Sequence, residues 1–166
     1  MKNLVFILSF LFFEKSFATE TAAFDISLFG NKVGEIVITH EKRSDGSDYY
    51  RMTTKAKAKV LWIMRDQSSI YDVVYKDGKM LSSSQWAHDN EDTTSCKVVR
   101  TASGISATLH DGKKYSYTEI PMFSIVKLYF QEPKSIDHLF QETDGVYVNI
   151  ASTEQGTYEF KSKNGD

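Results

Sequence analysis

Between Tyr49 and Trp62 the chain keeps a two-residue beat. Tyr50, Met52, Thr54, Ala56, Ala58, Val60 and Trp62 occupy one set of alternate positions, and Arg51, Thr53, Lys55, Lys57 and Lys59 the other. Successive side chains of a β-strand point to opposite faces, so an extended chain sorts these residues into one buried face and one wetted face. A helix would scatter them around its axis. The beat recurs at Phe24, Ile26 and Leu28 against Asp25 and Ser27, and at Ile36 and Ile38 against Glu35 and Thr39. Further strand-like runs cover Ser69 to Tyr75, Met80 to His88, Thr93 to Thr101, Ile105 to His110, Lys114 to Ile120, Val146 to Ala151 and Thr157 to Lys163. Turn pairs such as Asp45-Gly46, Asp77-Gly78 and Asp111-Gly112 punctuate them, and Asp-Gly between alternating runs is a hairpin signal. Half-wetted strands with hairpin-length links pair antiparallel with their neighbours. The expected fold class is all-β: an antiparallel meander of about ten strands, too wide to lie flat, curled into a barrel or half-barrel.

One stretch departs from this rhythm. Seven of the nine residues from Met122 to Phe130 are apolar, and the only two prolines of the chain, Pro121 and Pro133, bracket them. Proline suits the first turn of a helix and stops one at the residue before it. The spacing predicts one short helix, apolar around most of its circumference and therefore buried. Ile136, Leu139 and Phe140 would add a second turn to it. With only Lys127, Gln131 and Glu132 as polar groups, the segment reads as a plug at one end of the barrel rather than a ligand lid.

The N-terminus has the pattern of a secretory signal: Lys2, an apolar run from Leu4 to Phe13, then Ser16-Phe17-Ala18 before a cut after Ala18. Residues 1–18 are thus assigned to a signal peptide and 19–166 to a single β domain. Removing Lys2, Glu14 and Lys15 leaves 18 basic and 21 acidic side chains, which argues against nucleic acid as a partner. No later run is long enough for a transmembrane helix. Cys96 is the lone cysteine, so no internal disulfide forms, and an exported chain without one fits a bacterial periplasm or outer cell surface. Asn164-Gly165 reads as a turn into a strand that does not follow, so the domain is expected to be truncated at its C-terminus.

The block Leu128-Tyr129-Phe130-Gln131-Glu132-Pro133, followed by Phe140-Gln141-Glu142 and Gly145, resembles the signature of an uncharacterised family of exported Gram-negative bacterial β-sheet proteins, a domain of unknown function. That signature runs Leu-Tyr-Phe-x-Glu-Pro, then Phe-Ser-Glu, then Gly; here Gln141 stands in place of the Ser. The stretch from Phe24 to Gly34, with Gly30-Asn31-Lys32-Val33-Gly34, is similar too. The resemblance extends over most of the mature chain. It implies a β fold, export, and two further strands beyond Asn164-Gly165, but no activity or cofactor.

Motifs of chemistry are sparse. Four histidines each adjoin an acid: His40-Glu41, His88-Asp89, His110-Asp111 and Asp137-His138. Neighbours on a strand face opposite ways, so these are not preformed acid–base pairs, and none has the spacing of metal ligands. There is no Gly-x-Ser-x-Gly elbow and no phosphate-cradling loop, so no catalytic residue, metal ligand or cofactor is assigned and an enzyme is the least favoured class. The favoured reading is a binding module for an apolar ligand such as a lipid, held inside the barrel by Trp62, Trp86, Tyr71 and Phe130. The alternative is an envelope interaction or assembly protein. Its contact surface would be an apolar lip at Leu61 and Ile63, the basic ladder Lys55, Lys57 and Lys59, and an open sheet edge.

Overall fold

A computed structural model describes residues 19–60, 63–154 and 157–161. The proposed signal peptide and the expected C-terminal truncation therefore lie outside the described residues. Eight strands run in sequence order across one antiparallel sheet: β1 (Thr19–Leu28), β2 (Asn31–Lys42), β3 (Asp48–Val60), β4 (Ile63–Lys76), β5 (Lys79–Asp89), β6 (Asp92–Thr101), β7 (Gly104–Leu109) and β8 (Lys114–Tyr117). One turn of 3₁₀ helix, Val126–Tyr129, follows. A second antiparallel sheet has the order β11-β10-β9, from β9 (His138–Gln141), β10 (Val146–Glu154) and β11 (Thr157–Lys161).

The expected meander is present, and its links are the predicted tight turns. Lys76 pairs with Lys79, leaving Asp77 and Gly78 as a two-residue loop with φ of 53° and 75°. That mirror-image turn matches the right-handed twist of the flanking strands and asks for residues that tolerate positive φ. The faces of β3 divide as its sequence requires: Tyr50 and Met52 enter the core while Lys55, Lys57 and Lys59 stay exposed.

The barrel does not close. β1 and β8 are the two ends of the large sheet and do not pair with each other. An eight-stranded barrel is just wide enough for its own side chains. Here the large sheet instead surrounds the chain that follows it. Phe24 of β1 reaches the Tyr129 ring at 5.5 Å, His40 of β2 the Phe130 ring at 5.6 Å, and Tyr50 of β3 the same ring at 5.8 Å. Met80 of β5 donates its amide to the Pro121 carbonyl at 2.7 Å. At the far end, Tyr117 of β8 meets Phe140 at 6.4 Å and Tyr147 at 5.2 Å. A flat sheet of eight strands would be about 34 Å across, so one short segment touches both ends only because the sheet curls around it.

The predicted helix is also corrected. Phe140 donates its amide to the Phe123 carbonyl at 3.0 Å and accepts from the Ile125 amide at 3.3 Å, which makes Ser124 and Phe140 a parallel bridge. Backbone committed to that bridge is extended, so only Val126–Tyr129 is left to coil. The expected second turn at Ile136 to Phe140 is likewise replaced by β9. Apolar residues around the whole circumference have another cause here, because the segment lies between two cores. Val126 and Phe130 pack with Ile38, Tyr50, Val73, Tyr75, Val98 and Phe140 under the large sheet. Phe123, Ile125 and Leu128 pack with Leu139, Val148 and Ile150 on the other face of the small sheet. The plug is real, but it is a strand, a turn and a small sheet.

Candidate functional site

Where the two cores meet, the structure buries charge. Glu142, just beyond β9, is fully enclosed, and its carboxylate accepts the amides of Ile125 at 3.2 Å and Val126 at 3.4 Å. It thereby ties the second sheet to the start of the 3₁₀ turn. Burial pushes its pKa up to about 7, against the lowering effect of those donors. Lys127, also buried, donates to the Met122 carbonyl at 2.9 Å and lies 4.7 Å from the Tyr75 ring and 4.5 Å from the Phe123 ring. Two aromatic faces and a carbonyl replace water around its ammonium group, and burial lowers its pKa. Gly145 closes the β9–β10 hairpin at a φ of 64°. A Cβ there would come within 2.8 Å of Ala107 Cβ and 3.1 Å of Cys96 Sγ. Cys96 itself is buried, with its thiol pKa raised to about 11 by burial, which makes it a small core side chain. Phe140, Glu142 and Gly145 thus each have a packing reason for their identity.

Two surface regions are concave. The Leu128–Pro133 turn and Tyr158 of β11 line an open cleft of about 500 Å³. Tyr158 donates its hydroxyl to Glu132 at 2.9 Å, and Lys134 pairs with the same carboxylate at 3.2 Å. These two bonds hold the Glu132 pKa below the usual carboxylate range. Apolar rings continue outward from the cleft. Phe160, two residues along the same face of β11, is 51% exposed, and Phe24, against Tyr129, is 45% exposed.

The second region lies where β8 faces the β9–β10 pair. A cleft of about 380 Å³ is lined by Ser116, Tyr117, Thr118, Glu119, His138, Tyr147 and Asn149. His138 Nε2 is 2.6 Å from Glu119 Oε1. The Tyr147 ring stands edge-on to His138 at 5.2 Å and donates its hydroxyl to the Glu119 carbonyl at 3.1 Å. A smaller cleft of about 200 Å³ shares Glu119, His138 and Tyr147 and adds Ser135 and Asp137. Among the described residues no cluster of three His, Cys, Asp or Glu side chains could hold a metal ion. Nor is any helix there long and apolar enough to cross a membrane.

Over residues 24–166 the sequence matches the family described as Domain of unknown function (DUF6134). The chain belongs to that family. Neither the curated proteins nor the solved structures compared with it contain a match.

The residues singled out from sequence do not form one pocket in this DUF6134 domain. Phe130 and Tyr71 face the core, where Tyr71 lies 3.1 Å from Thr143 Oγ1. Trp86 is on the opposite face of the sheet, 42% exposed and stacked on His88. A bulge explains the difference. Tyr75 pairs with Met80 but Val74 pairs with Ser82, so Leu81 is an extra residue on β5. One extra residue inverts every later side chain of the strand, which sends Ser83 and Gln85 inward and Trp86 out. Leu61 and Trp62 lie outside the described residues. Lys55, Lys57, Lys59 and Ile63 belong to a β3–β4 hairpin that outreaches its neighbours: β2 stops pairing at Ala56 and β5 at Gln67. Ile63 and Met64 are half exposed there, and Lys57 pairs with Asp66 at 2.9 Å.

The sequence reading missed Glu142, Tyr158 and the Glu119–His138 pair. Each contact is non-local, joining residues on separate elements. Sequence adjacency pairs each histidine with its neighbouring acid, whereas in the fold His40 meets Glu20 and Asp48, and His138 meets Glu119. Glu142 and Glu132 did lie within the quoted signature, and that was the one available pointer to them.

Proposed function

We propose that the protein is an exported binding module, periplasmic or on the cell surface, for an apolar ligand such as a lipid. The ligand is held in the open cleft beside the Leu128–Pro133 turn and not inside a closed barrel. The observation that carries this reading is the junction of that cleft with exposed rings at Phe24, Tyr129 and Phe160. Its volume of about 500 Å³ falls within the range of small-molecule sites, roughly 300–1,000 Å³. The apolar lining suits an acyl chain, while the Glu132 carboxylate at the rim, already bonded by Tyr158 and Lys134, is left on the wet side. The N-terminal sequence of residues 1–18 supports export.

Titration of the processed protein with a fluorescent fatty acid tests the reading. We expect saturable binding, weakened at least about tenfold by Leu128→Asp, a loss of more than about 1.4 kcal/mol. Tyr129→Ala, at a more exposed position, is expected to weaken it less without lowering the melting temperature. No saturable binding, or binding indifferent to both substitutions, sinks the proposal.

A second reading rests on a separate observation, the β3–β4 hairpin that projects beyond its neighbours with Lys57, Lys59, Ile63 and Met64 exposed. It would serve as the arm of an envelope interaction or assembly protein. Capture of one envelope protein by the wild type but not by Ile63→Asp, with fatty-acid binding unchanged, favours that reading.

A further inference from the structure

The polar cleft between β8 and the β9–β10 pair has no part in the acyl-binding reading. Its lining is of a different kind. Ser116, Thr118, Glu119, His138 and Asn149 line it, next to a wall at Tyr117 and Tyr147, whose rings pack into the core. The rings stand nearly perpendicular at 5.2 Å, so the wall is stiff. The Tyr147 hydroxyl is occupied by the Glu119 carbonyl, and its ring edge rests on His138. These two contacts hold the partly exposed Glu119–His138 pair in the cleft before any ligand arrives.

Charge narrows the ligand class. The only charge-bearing side chains lining this cleft are Glu119 and His138, and at 2.6 Å they partner each other. An anion such as phosphate would find no uncommitted cation, and Asp137 in the adjoining cleft adds a negative charge. A simple cation would have to displace His138 from Glu119. A neutral polyhydroxylated ligand has neither difficulty. Each of its hydroxyls both donates and accepts, as do the serine, threonine and asparagine groups, while the carboxylate accepts and the imidazole offers a second ring nitrogen. The C–H faces of its rings are apolar and suit tyrosine, which combines an apolar body with a polar tip. The cleft's volume of about 380 Å³ is ample for a small ligand of this kind.

We propose that this cleft is a binding site for a short neutral saccharide, with Glu119, His138 and Asn149 as its hydrogen-bonding residues and Tyr117 as its stacking surface. The site is separate from the acyl cleft, and the two can fail independently.

Amide NMR of the labelled processed protein, titrated with tri-N-acetylchitotriose and with maltotriose, tests this. At least one of these sugars is expected to produce saturable shifts confined to residues 116–119, 138 and 147–149. Glu119→Gln and Asn149→Ala, at exposed positions, should each raise the Kd about tenfold, the loss of one good hydrogen bond. Both variants should keep the wild-type melting temperature and the wild-type response to the fatty-acid probe. Absence of saturable shifts with both sugars overturns the proposal. So do shifts centred on the Leu128–Pro133 turn, displacement of the sugar by inorganic phosphate, or equal affinity in wild type and both variants.

Discussion

The large sheet and the chain that follows it use opposite strategies. Residues from Thr19 to Tyr117 form eight strands in which every pairing is between sequence neighbours, and on β3, β4 and β6 the buried residues fall on alternate positions. Residues from Pro121 to Lys161 form a bridge, a single turn and a small sheet, and their key contacts join distant residues: Phe123 with Phe140, Glu142 with Val126, Tyr158 with Glu132. The first region supplies area and a curved wall. The second supplies the two buried charged side chains found among the described residues, Lys127 and Glu142, the whole lining of the cleft beside the Leu128–Pro133 turn, and three of the seven residues lining the polar one. A wall of repeated hairpins tolerates local change, because losing one contact leaves its neighbours intact. The insert has few contacts that are not shared between two layers.

Phe140 gives the largest test of that contrast. It is completely buried, its ring packs against Tyr117 and Tyr147, and its backbone holds both sides of the Phe123–Ile125 bridge. Phe140→Ala is expected to cost about 3–5 kcal/mol in denaturant unfolding and to speed amide exchange throughout residues 123–130. Ile38→Val, in the wall, should cost about 1 kcal/mol and leave that exchange unchanged. Equal, purely local effects would abolish the distinction between the two regions.

Glu142 comes next. Its pKa is near 7 in the fold against an ordinary value of 4.5, so the folded state holds the proton more tightly than the unfolded chain. Its contribution is greatest below pH 4.5 and is lost as pH rises toward 7 and beyond. The expected loss is about 3 kcal/mol. Chemical denaturation of the wild type and Glu142→Gln across that window isolates the effect. The wild-type curve should fall relative to the variant and run parallel to it above pH 8. A constant offset from pH 4 to 8 would show that burial does not hold the proton.

A pair of glycines sharpens the contrast further. Gly30, in the β1–β2 turn, and Gly145, between β9 and β10, both have positive φ, 80° and 64°. A Cβ at Gly30 meets nothing within 4 Å, whereas one at Gly145 is driven into Ala107 and Cys96. Gly30→Ala should therefore show the backbone penalty alone, about 1 kcal/mol. Gly145→Ala adds overpacking and should reach about 2–3 kcal/mol. Thermal melts of the two variants give the difference directly.

The same division decided what could be read from sequence. Strand identity, the two faces of β3, the Asp77-Gly78 turn and the packing of most of the Met122–Phe130 stretch, Met122 and Tyr129 excepted, all follow from local rules of period and turn chemistry. The insert's form does not, because its backbone partner, Phe140, is fixed only when the second sheet docks. Apolar residues on most sides of Val126–Tyr129, Lys127 excepted, signal burial equally well for a helix in one core and a turn between two. The choice between barrel and half-barrel stays open for a related reason: nothing local reveals that the later chain occupies the space closure would require. Of the candidate sites, the cleft beside the Leu128–Pro133 turn coincides with the family-like motif, while Glu119 and His138 are brought together by two elements that no periodicity connects.

Gln85 and Trp86 carry the smallest expected effect and the most specific lesson about register. Strict alternation from Met80 puts Trp86 inside, and the extra Leu81 puts Gln85 there instead. The Gln85 side-chain amide is buried beside the Tyr71 hydroxyl without a well-formed hydrogen bond among the described residues. An unpaired buried amide costs about 1–3 kcal/mol, so Gln85→Met, similar in shape and without that cost, should be neutral or slightly stabilising. Trp86→Ser, on the wet face, should change stability by no more than about 0.5 kcal/mol. In a Trp62→Phe background, the remaining indole should be readily quenched by acrylamide. If Trp86 proves shielded and its removal costs several kcal/mol, the bulge at Leu81 is absent and every face assignment on β5 reverses.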